Sequence, residues 1–283
     1  MRSTMRRNGR LDRHAERGFT LVELAVVIAI VALLLGAILL PLATQQQLRK
    51  NKEAERDLRE IKEALIGFAV ANGRLPWPDR SFSPDGVEDP PAGFPTPGVL
   101  AVPCTVCEGL LPWATLGLAP TDPWGRIYRY RMSPEFGFPV QTGQPAGGVD
   151  NRFDLLDVGT IRINTRGDDP ASGGGGEQKE DIVLTTDAAA AILSAGSNGS
   201  GGTRPDASTI PSAPVGTDEQ INSDGGSPAA PNPHFYARQI TLPVTGACSD
   251  TVEGTTFCEF DDLVTWIPRV VLINRMVEAG RLP

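Results

Sequence analysis

Histidine and cysteine are scarce in this chain, and their scarcity excludes several kinds of active site. The 283 residues include two histidines, His14 and His234, and four cysteines. Because His14 lies in a basic segment and His234 in a proline-rich stretch, neither supplies the general base of a serine hydrolase. Residues 195–199, Ala-Gly-Ser-Asn-Gly, differ by one residue from a nucleophile elbow, but without that base they predict a surface loop. Residues 196–202 are no dinucleotide fingerprint either, because Pro205 stands where a helix should begin.

Positive charge is scarce beyond the first 18 residues. The chain has 26 Lys and Arg against 34 Asp and Glu, a formal net charge of −8. Residues 1–18 hold six arginines and two acids, so the other 265 residues carry −12. This acidic balance argues against nucleic acid as a partner. Glycine (31) and proline (25) are concentrated in the middle of the chain and predict long loops there.

One long apolar segment dominates the N-terminal region. The segment from Phe19 to Leu42 contains a single charged residue, Glu23. As a helix it would be about 36 Å long, enough to cross a hydrocarbon core of about 30 Å. The arginines before it predict a cytoplasmic N-terminus and a periplasmic location for everything after it. No small-residue cleavage site follows the segment, so it differs from an ordinary secretory signal.

A small residue precedes the segment instead. The sequence Arg17-Gly18-Phe19-Thr20-Leu21-Val22-Glu23-Leu24 resembles the leader junction of type IV pilins and type II secretion pseudopilins. The resemblance implies that a prepilin peptidase removes residues 1–18 by cutting after Gly18 and N-methylates Phe19. It also implies that Glu23 neutralises the amine of a neighbouring subunit during assembly. The alternative is a plain membrane anchor in which Glu23 reaches water at the interface.

The polar segment after residue 43 continues the predicted helix. Its apolar residues recur at helical spacing: Leu48, Leu58, Ile61, Leu65 and Phe68. Gly73 and Pro76 predict that the helix ends at Asn72. The stripe is too short for several coiled-coil heptads and favours packing against a globular head. We therefore expect one helix with a transmembrane half, 19–43, and an amphipathic half, 44–73.

A second motif opens the predicted sheet. Asp122-Pro123-Trp124-Gly125 predicts a tight turn before a strand that alternates through Tyr130. The pattern Asp-Pro-Trp-Gly-x-x-Tyr-x-Tyr resembles the start of the sheet in the major type II secretion pseudopilin. Further strands are predicted at 160–164, 181–185 and 239–244, and 187–194 fits either helix or strand.

The last part of the chain predicts a helix and poorly ordered loops. The helix is expected to begin at Asp261 or Asp262, with a kink or a new start at Pro268. Serine, glycine, proline and aspartate dominate 196–233, and glycine dominates 165–180. Both stretches predict disordered loops.

The four cysteines form two local pairs. Because the predicted orientation exposes them to an oxidising compartment, Cys104 with Cys107 and Cys248 with Cys258 predict two short disulfides. In the chain-entropy model the disulfide between Cys248 and Cys258 stabilises the folded protein by about 3 kcal/mol. The alternatives are a four-cysteine zinc site, which the wide spacing of the second pair disfavours, and a redox-active C-x-x-C, which lacks a strand-to-helix setting.

Calcium is the one cofactor that the resemblance raises, because major pseudopilins bind it in a loop after the sheet. Calcium requires about six to eight oxygen ligands. Two acidic sets are candidates, Asp218, Glu219 and Asp224, and Asp168, Asp169, Glu177, Glu180 and Asp181. Neither set matches the family's acidic loop residue by residue, so no metal ligand is assigned and no cofactor is predicted.

Together these features predict an α+β, pilin-like fold. A long N-terminal helix packs on an antiparallel sheet within a periplasmic head, 74–283, which has irregular, disulfide-stapled loops and a C-terminal helix. The expected role is that of a structural subunit, not an enzyme, which polymerises into a type II secretion pseudopilus or a type IV pilus. Expected partners are the prepilin peptidase, copies of itself, other pilins or pseudopilins, an inner-membrane assembly platform and membrane lipid. The alternative is a membrane-tethered periplasmic binding or adhesive module that does not polymerise.

Overall fold

One long helix and a six-stranded sheet account for most of the regular structure. The computed structural model describes residues 20–91, 107–138, 153–167, 179–224 and 234–282, and of residues 35–44 only the backbone. Residues 1–48 and 49–283 form two units. The elements in chain order are α1 (Leu21–Asn72), β1 (Glu108–Leu110), α2 (Trp113–Leu116), β2 (Arg129–Met132), β3 (Ile161–Gly167), β4 (Glu180–Ser194), α3 (Asp218–Ser223), β5 (His234–Tyr236), β6 (Leu263–Pro268) and α4 (Arg269–Glu278).

Helix α1 is continuous over 52 residues and ends at Asn72, as its sequence predicted. Gly73 stops it, because its left-handed φ of 76° turns the chain while its N–H donates to the Ala69 carbonyl at 2.7 Å. Within the described residues, no helix is long and apolar enough to cross a membrane. The leader 1–18 lies outside the described residues, and so do the side chains of 35–44 within the predicted span 19–43.

The later half of α1 supplies one wall of the core. Its buried residues Leu58, Ile61, Leu65, Ile66 and Ala69 share one hydrophobic cluster with Trp77, Tyr128, Tyr130, Met132 and Ile267. Leu48 and Phe68 belonged to the predicted stripe, but Leu48 is exposed and Phe68 only half-buried. Phe68 lies under the Arg74 guanidinium, 5.4 Å from ring centroid to Cζ, instead of in the core.

The sheet is mixed and has β4 at its centre. Its strand order is β1-β2-β4-β3-β5, and β6 also pairs with β4. All pairs are antiparallel except β3 with β5, which is parallel, so the prediction of an antiparallel sheet holds for four of the five pairings. Strands β4 and β6 are neighbours, with Ser194 opposite Leu263. Residues 195–262 therefore connect two adjacent strand ends.

Residues 187–194, which the sequence left between helix and strand, complete β4. Four consecutive alanines, 188–191, are buried there. Ala189 and Ala190 belong to the core against α1, whereas Ala188 and Ala191 belong to a second cluster with Phe235. Small side chains fit because both faces of the strand are covered.

The predicted closing helix is wrong in its first half. Leu263, Val264 and Ile267 lie in β6, and the helix α4 begins only after Pro268. Pro268 has an extended backbone, φ −60° and ψ 137°, and lacks the N–H that an interior helical position would use. The predicted strand 239–244 reduces to an isolated bridge between Thr241 and Phe260.

The predicted disordered loop 196–233 contains ordered structure. Residues 196–224 include α3, which begins at an N-cap, Thr217, whose side chain accepts from the Gln220 N–H. Buried carboxylates fix this segment to the rest of the fold, a contribution that its composition does not reveal. Residues 225–233 lie outside the described residues, as does 168–178 of the other predicted loop.

Candidate functional site

The start of α1 is closed by a reciprocal pair of hydrogen bonds between Thr20 and Glu23. The Glu23 N–H donates to Thr20 Oγ1 at 3.2 Å, and Glu23 Oε2 accepts from the Thr20 N–H at 2.9 Å and from its hydroxyl at 3.0 Å. This is a capping box, in which the helix start satisfies its own orphan donors. Sequence reasoning missed it, although Thr-x-x-Glu before an apolar run is its signature. Glu23 therefore has a local function besides the predicted one.

The first turns of α1 expose an apolar surface. The exposed side chains are Leu21, Val22, Leu24, Val26, Val27, Ile28, Ile30, Val31, Leu33 and Leu34. Continuous apolar surface of this kind indicates contact with lipid or with other helices. Glu23 is the charged residue among them, and the predicted cleavage and methylation positions, Gly18 and Phe19, lie outside the described residues.

The turn at Asp122 forms as the sequence predicted and leads into β2. The Gly125 N–H donates to the Asp122 carbonyl at 2.9 Å, and Gly125 has a φ of 84°, which favours glycine. Asp122 Oδ1 accepts from the N–H groups of Trp124 and Arg126, both at 2.9 Å. Its Oδ2 accepts from the Ser194 hydroxyl at 2.8 Å, so the turn is fixed to the end of β4.

Three buried carboxylates meet in front of β6. Glu219 comes from α3, and Asp261 and Asp262 immediately precede β6. One oxygen of each lies within 4.8 Å of one oxygen of the other two. We call Glu219, Asp261 and Asp262 the carboxylate triad. Burial raises the pKa of Glu219 to about 7 and holds that of Asp262 well above its ordinary value.

Hydrogen bonds from neutral donors reach only some of the carboxylate oxygens in the triad. Asp261 Oδ2 accepts two backbone N–H bonds and a hydroxyl bond from residues 197–198, at 2.7 to 2.9 Å. Glu219 Oε1 accepts from the Asp261 N–H at 2.7 Å, and Asp262 Oδ2 accepts from the Asn222 amide at 2.9 Å. Oδ1 of Asp261 and Oδ1 of Asp262 are buried, and no described residue donates to either. A hydrogen bond between the Glu219 and Asp261 side chains contributes to the raised pKa of Glu219, after the larger effect of burial.

A family model described as the prokaryotic N-terminal methylation motif matches residues 13–39. Two curated relatives are both named type II secretion system core protein G. The protein of Pseudomonas aeruginosa is 24% identical over 149 residues, which cover 51% of this chain and 96% of its own length. That of Aeromonas hydrophila is 24% identical over 127 residues, 45% of this chain and 80% of its own. No solved structure matches the chain.

The chain carries a prepilin-type methylation motif and is similar to pseudopilins of type II secretion systems. The match over 13–39 confirms the resemblance that Arg17 to Leu24 indicated, and it lies at the same end of the chain. The relatives confirm the prediction of a structural subunit of pseudopilin type instead of an enzyme. They cover about half of this chain, and the other half lies outside the matched regions.

The candidate calcium ligands separate in the structure. Asp218 is fully buried and bound by Arg166 and Arg238, whereas Asp224 is exposed. Glu219 alone enters the carboxylate triad, with two acids that sequence reasoning had taken for helix N-caps. No periodicity reveals this grouping, because Glu219 and Asp261 are 42 positions apart.

The second acidic set does not form a site among the described residues. Asp168, Asp169 and Glu177 lie outside them, Glu180 is exposed, and Asp181 pairs with Arg166 at 2.8 Å. This pairing assigns Asp181 a structural function at the start of β4.

The structure joins Cys248 to Cys258 in a disulfide, with their Cα atoms 4.9 Å apart. Cys107 is disulfide-bonded, and Cys104 lies outside the described residues. The loop closed by Cys248 and Cys258 contains Asp250, which accepts from the Cys258 N–H at 3.0 Å. The disulfide therefore holds a charged residue of the core in place.

Gly196 allows the chain to pass close to the carboxylate triad, and we expect Gly196→Ala to destabilise the protein by about 2 to 4 kcal/mol. A Cβ at this position would lie 2.1 Å from the Asp261 carbonyl oxygen and 2.2 Å from its Oδ1, and φ is 58°. Gly117→Ala is the matched control, because Gly117 has a φ of 69° but no atom within 4 Å of an added Cβ. It should cost only about 1 kcal/mol, the left-handed strain alone. Equal losses in urea unfolding would show that the close approach is unimportant.

Proposed function

We propose that this pilin-like protein is processed and then polymerises through its N-terminal helix into a type II secretion pseudopilus. The observation that carries the proposal is the methylation motif at 13–39, joined to a helix whose first turns expose apolar side chains. The proposed cleavage lies after Gly18 and the proposed methylation on Phe19. The type II secretion relatives support the secretion pseudopilus over a type IV pilus.

Before assembly, the subunit would be stored in the bacterial inner membrane as a single-pass protein. Six arginines in residues 1–18 favour a cytoplasmic N-terminus, and the acidic remainder of the chain is compatible with the periplasm. The disulfide between Cys248 and Cys258 supports an oxidising compartment for the head. Extraction into a filament would exchange lipid for neighbouring helices around the same apolar residues. An inner-membrane assembly platform is the partner that this step requires.

Glu23 would pair with the α-amine that cleavage creates at Phe19 of a neighbouring subunit. An α-amine has a reference pKa of about 7.7 to 8.0 and is mostly protonated at neutral pH. A carboxylate in an apolar helix bundle is costly unless a cation compensates it. The exposed position of Glu23 leaves it accessible to such a partner.

A minor or tip-located subunit is the second candidate within the same frame. The observation that favours a minor or tip-located subunit is the size of the chain, since the matches to the two relatives cover only about half of it. The head therefore has surface beyond what a core protein of this type possesses. A membrane-tethered module that does not polymerise is the alternative from a different class.

Incubation of the full-length protein with a prepilin peptidase tests the proposal. We expect a product that has lost residues 1–18 and gained one methyl group at Phe19, as measured by intact-mass spectrometry and N-terminal peptide mapping. A peptidase without its catalytic residues is the control and should leave the mass unchanged. Retention of residues 1–18 with active peptidase would contradict the proposal and favour the tethered module.

A further inference from the structure

The carboxylate triad differs in its partners from other buried acids of the second unit. Asp218 and Asp250 lie against a guanidinium group, since Arg238 approaches Asp218 at 2.8 Å and Asp250 at 3.1 Å. The carboxylate triad is also buried, with exposed fractions of 2 to 7%, yet within the described ranges no lysine or arginine forms an ion pair with any of its members. A buried carboxylate is costly unless a cation or a proton neutralises it, so this arrangement favours the protonated acid.

A direct hydrogen bond joins two members of the carboxylate triad. The side chains of Glu219 and Asp261 bond to each other, which requires a proton on one of the two carboxyl groups. Glu219 Oε1 also accepts from the Asp261 N–H at 2.7 Å. The bonded pair therefore holds a proton between α3 and the residues that precede β6.

The groups packed around the carboxylate triad supply little positive charge. Arg129 of β2 lowers the pKa of Asp262, but burial has the larger and opposite effect. Arg129 is itself bound to Glu108 of β1 and to the Ser223 carbonyl. The turn at 197–198 contributes neutral donors to the triad, which are backbone N–H groups, a hydroxyl and an amide.

Other charged side chains near the carboxylate triad have partners of their own. Asp218 of α3 is bound by two guanidinium groups. Arg126, which lies beside Gly199, pairs with Asp122 at 3.5 Å. The titratable side chains of β5 interact with charges outside the triad: His234 with Asp181, Arg162 and Arg166, and Tyr236 with Arg166, Asp181 and Asp218.

The charge state of the carboxylate triad makes the closure of α3 depend on pH. Burial raises the pKa of Glu219 from 4.5 to about 7, and it also raises the pKa of Asp262. When α3 opens, these acids regain water and their ordinary pKa. Between about pH 4.5 and 7, the closed segment holds a proton that the open segment has lost. Opening therefore releases a proton and becomes more favourable as the pH rises.

We propose that the carboxylate triad is a proton-dependent latch, which holds α3 to the start of β6 while it is protonated and releases α3 when it loses its protons. The turn at 197–198 is part of the latch, because Asp261 accepts from its N–H groups and Asn198 donates to Glu219 at 3.1 Å. The end of α3 also lines an open groove of about 610 Å³ beside β1. Release of α3 changes the shape of this groove, so the head surface responds to pH whether or not the chain assembles.

Hydrogen–deuterium exchange of the full-length protein in detergent tests the latch. After division by the intrinsic exchange rate, the opening of α3 should rise at least about tenfold per pH unit between pH 5 and 7. Residues 188–192 of β4 are buried and should remain protected at every pH. Opening of α3 that does not depend on pH would overturn the proposal. An equal loss of protection in β4 would also overturn it, since the whole unit would then unfold instead of α3 alone.

Neutral isosteres separate the latch from a purely structural cluster. Glu219→Gln and Asp262→Asn should each reduce the pH dependence of α3 opening, and the double variant should open equally at pH 5 and 7. Each amide resembles the protonated acid, so the variants should stay closed at pH 5. Asp224→Asn is the matched control, an exposed acid just after α3 that should retain the wild-type dependence. If the double variant responds to pH as the control does, the proton resides elsewhere and the proposal is wrong.

Discussion

Glu23→Leu is expected to abolish filament formation while the processed subunit remains in the membrane. The change would leave the N-terminal amine of each neighbouring subunit without its carboxylate in an apolar bundle. Loss of one partner of a buried ion pair costs about 3 to 5 kcal/mol. That cost recurs at every subunit contact, so assembly should fail entirely. Electron microscopy and fractionation of sheared filaments measure the result.

The capping box complicates this experiment, because Glu23→Leu removes a helix cap as well as a charge. Glu23 and Thr20 hold each other through both backbone and side-chain hydrogen bonds. Glutamine is also accepted at the third position of a capping box. Glu23→Gln therefore retains the cap but removes the charge, whereas Thr20→Ala removes the hydroxyl and retains the charge.

Glu23→Gln and Thr20→Ala have opposite expected effects, depending on whether Glu23 pairs with a neighbouring amine or only caps the helix. If Glu23 pairs with an amine, Glu23→Gln should assemble as poorly as Glu23→Leu, and Thr20→Ala should assemble. If Glu23 serves only as a cap, Thr20→Ala should be the defective variant, at a cost of about 1 kcal/mol. Normal filaments from Glu23→Gln would refute the pairing with a neighbouring amine.

Arg238→Met should destabilise the second unit by about 3 to 5 kcal/mol, because it leaves two buried carboxylates without their shared cation. The Arg238 guanidinium lies against Asp218 and Asp250, and it also donates to the Cys258 carbonyl at 3.3 Å. Asp218 would keep Arg166, but Asp250 would keep only backbone N–H donors, from Asp218 and Cys258. Urea unfolding followed by tryptophan fluorescence measures the loss.

Arg204→Met is the control for Arg238→Met, because Arg204 is exposed. It should change the free energy of unfolding by less than about 0.5 kcal/mol. A double variant, Arg238→Met with Asp250→Asn, should recover part of the loss, because the amide removes one uncompensated charge. If Arg238→Met were as stable as Arg204→Met, the ion pairs would contribute nothing measurable to the fold.

Local signals in the sequence located the helix and the turn well. Gly73 ended α1 at the predicted residue because glycine tolerates the left-handed backbone of a C-cap. The Asp122 turn formed for a comparable reason, since the Asp122 side chain accepts from the next N–H groups along the chain. Both devices act over a few residues and leave a clear pattern in the sequence.

Other features depended on residues that are far apart in the chain. The stretch after Asp262 had helical spacing, yet it pairs with β4, because Leu263 to Ile267 gain hydrogen bonds from Ser194 to Ala190. The carboxylate triad could not be predicted either, since α3 and the start of β6 meet only after the sheet has formed. Composition suggested disorder for 196–224 because it counts polar residues but not the partners that bury them.

The pairing of Ser194 with Leu263 has a consequence for how this protein can change over time and by design. The two ends of 195–262 are held next to each other by the sheet, so this segment behaves as an enlarged hairpin connection. Its exposed turns, such as residues 204–206, can vary in length and sequence without altering the register of β4 and β6, whereas α3, β5 and their buried partners are fixed by the fold. Such exposed turns are accordingly the place where a lineage of such subunits can acquire a new surface, and where a foreign peptide could be displayed once per subunit.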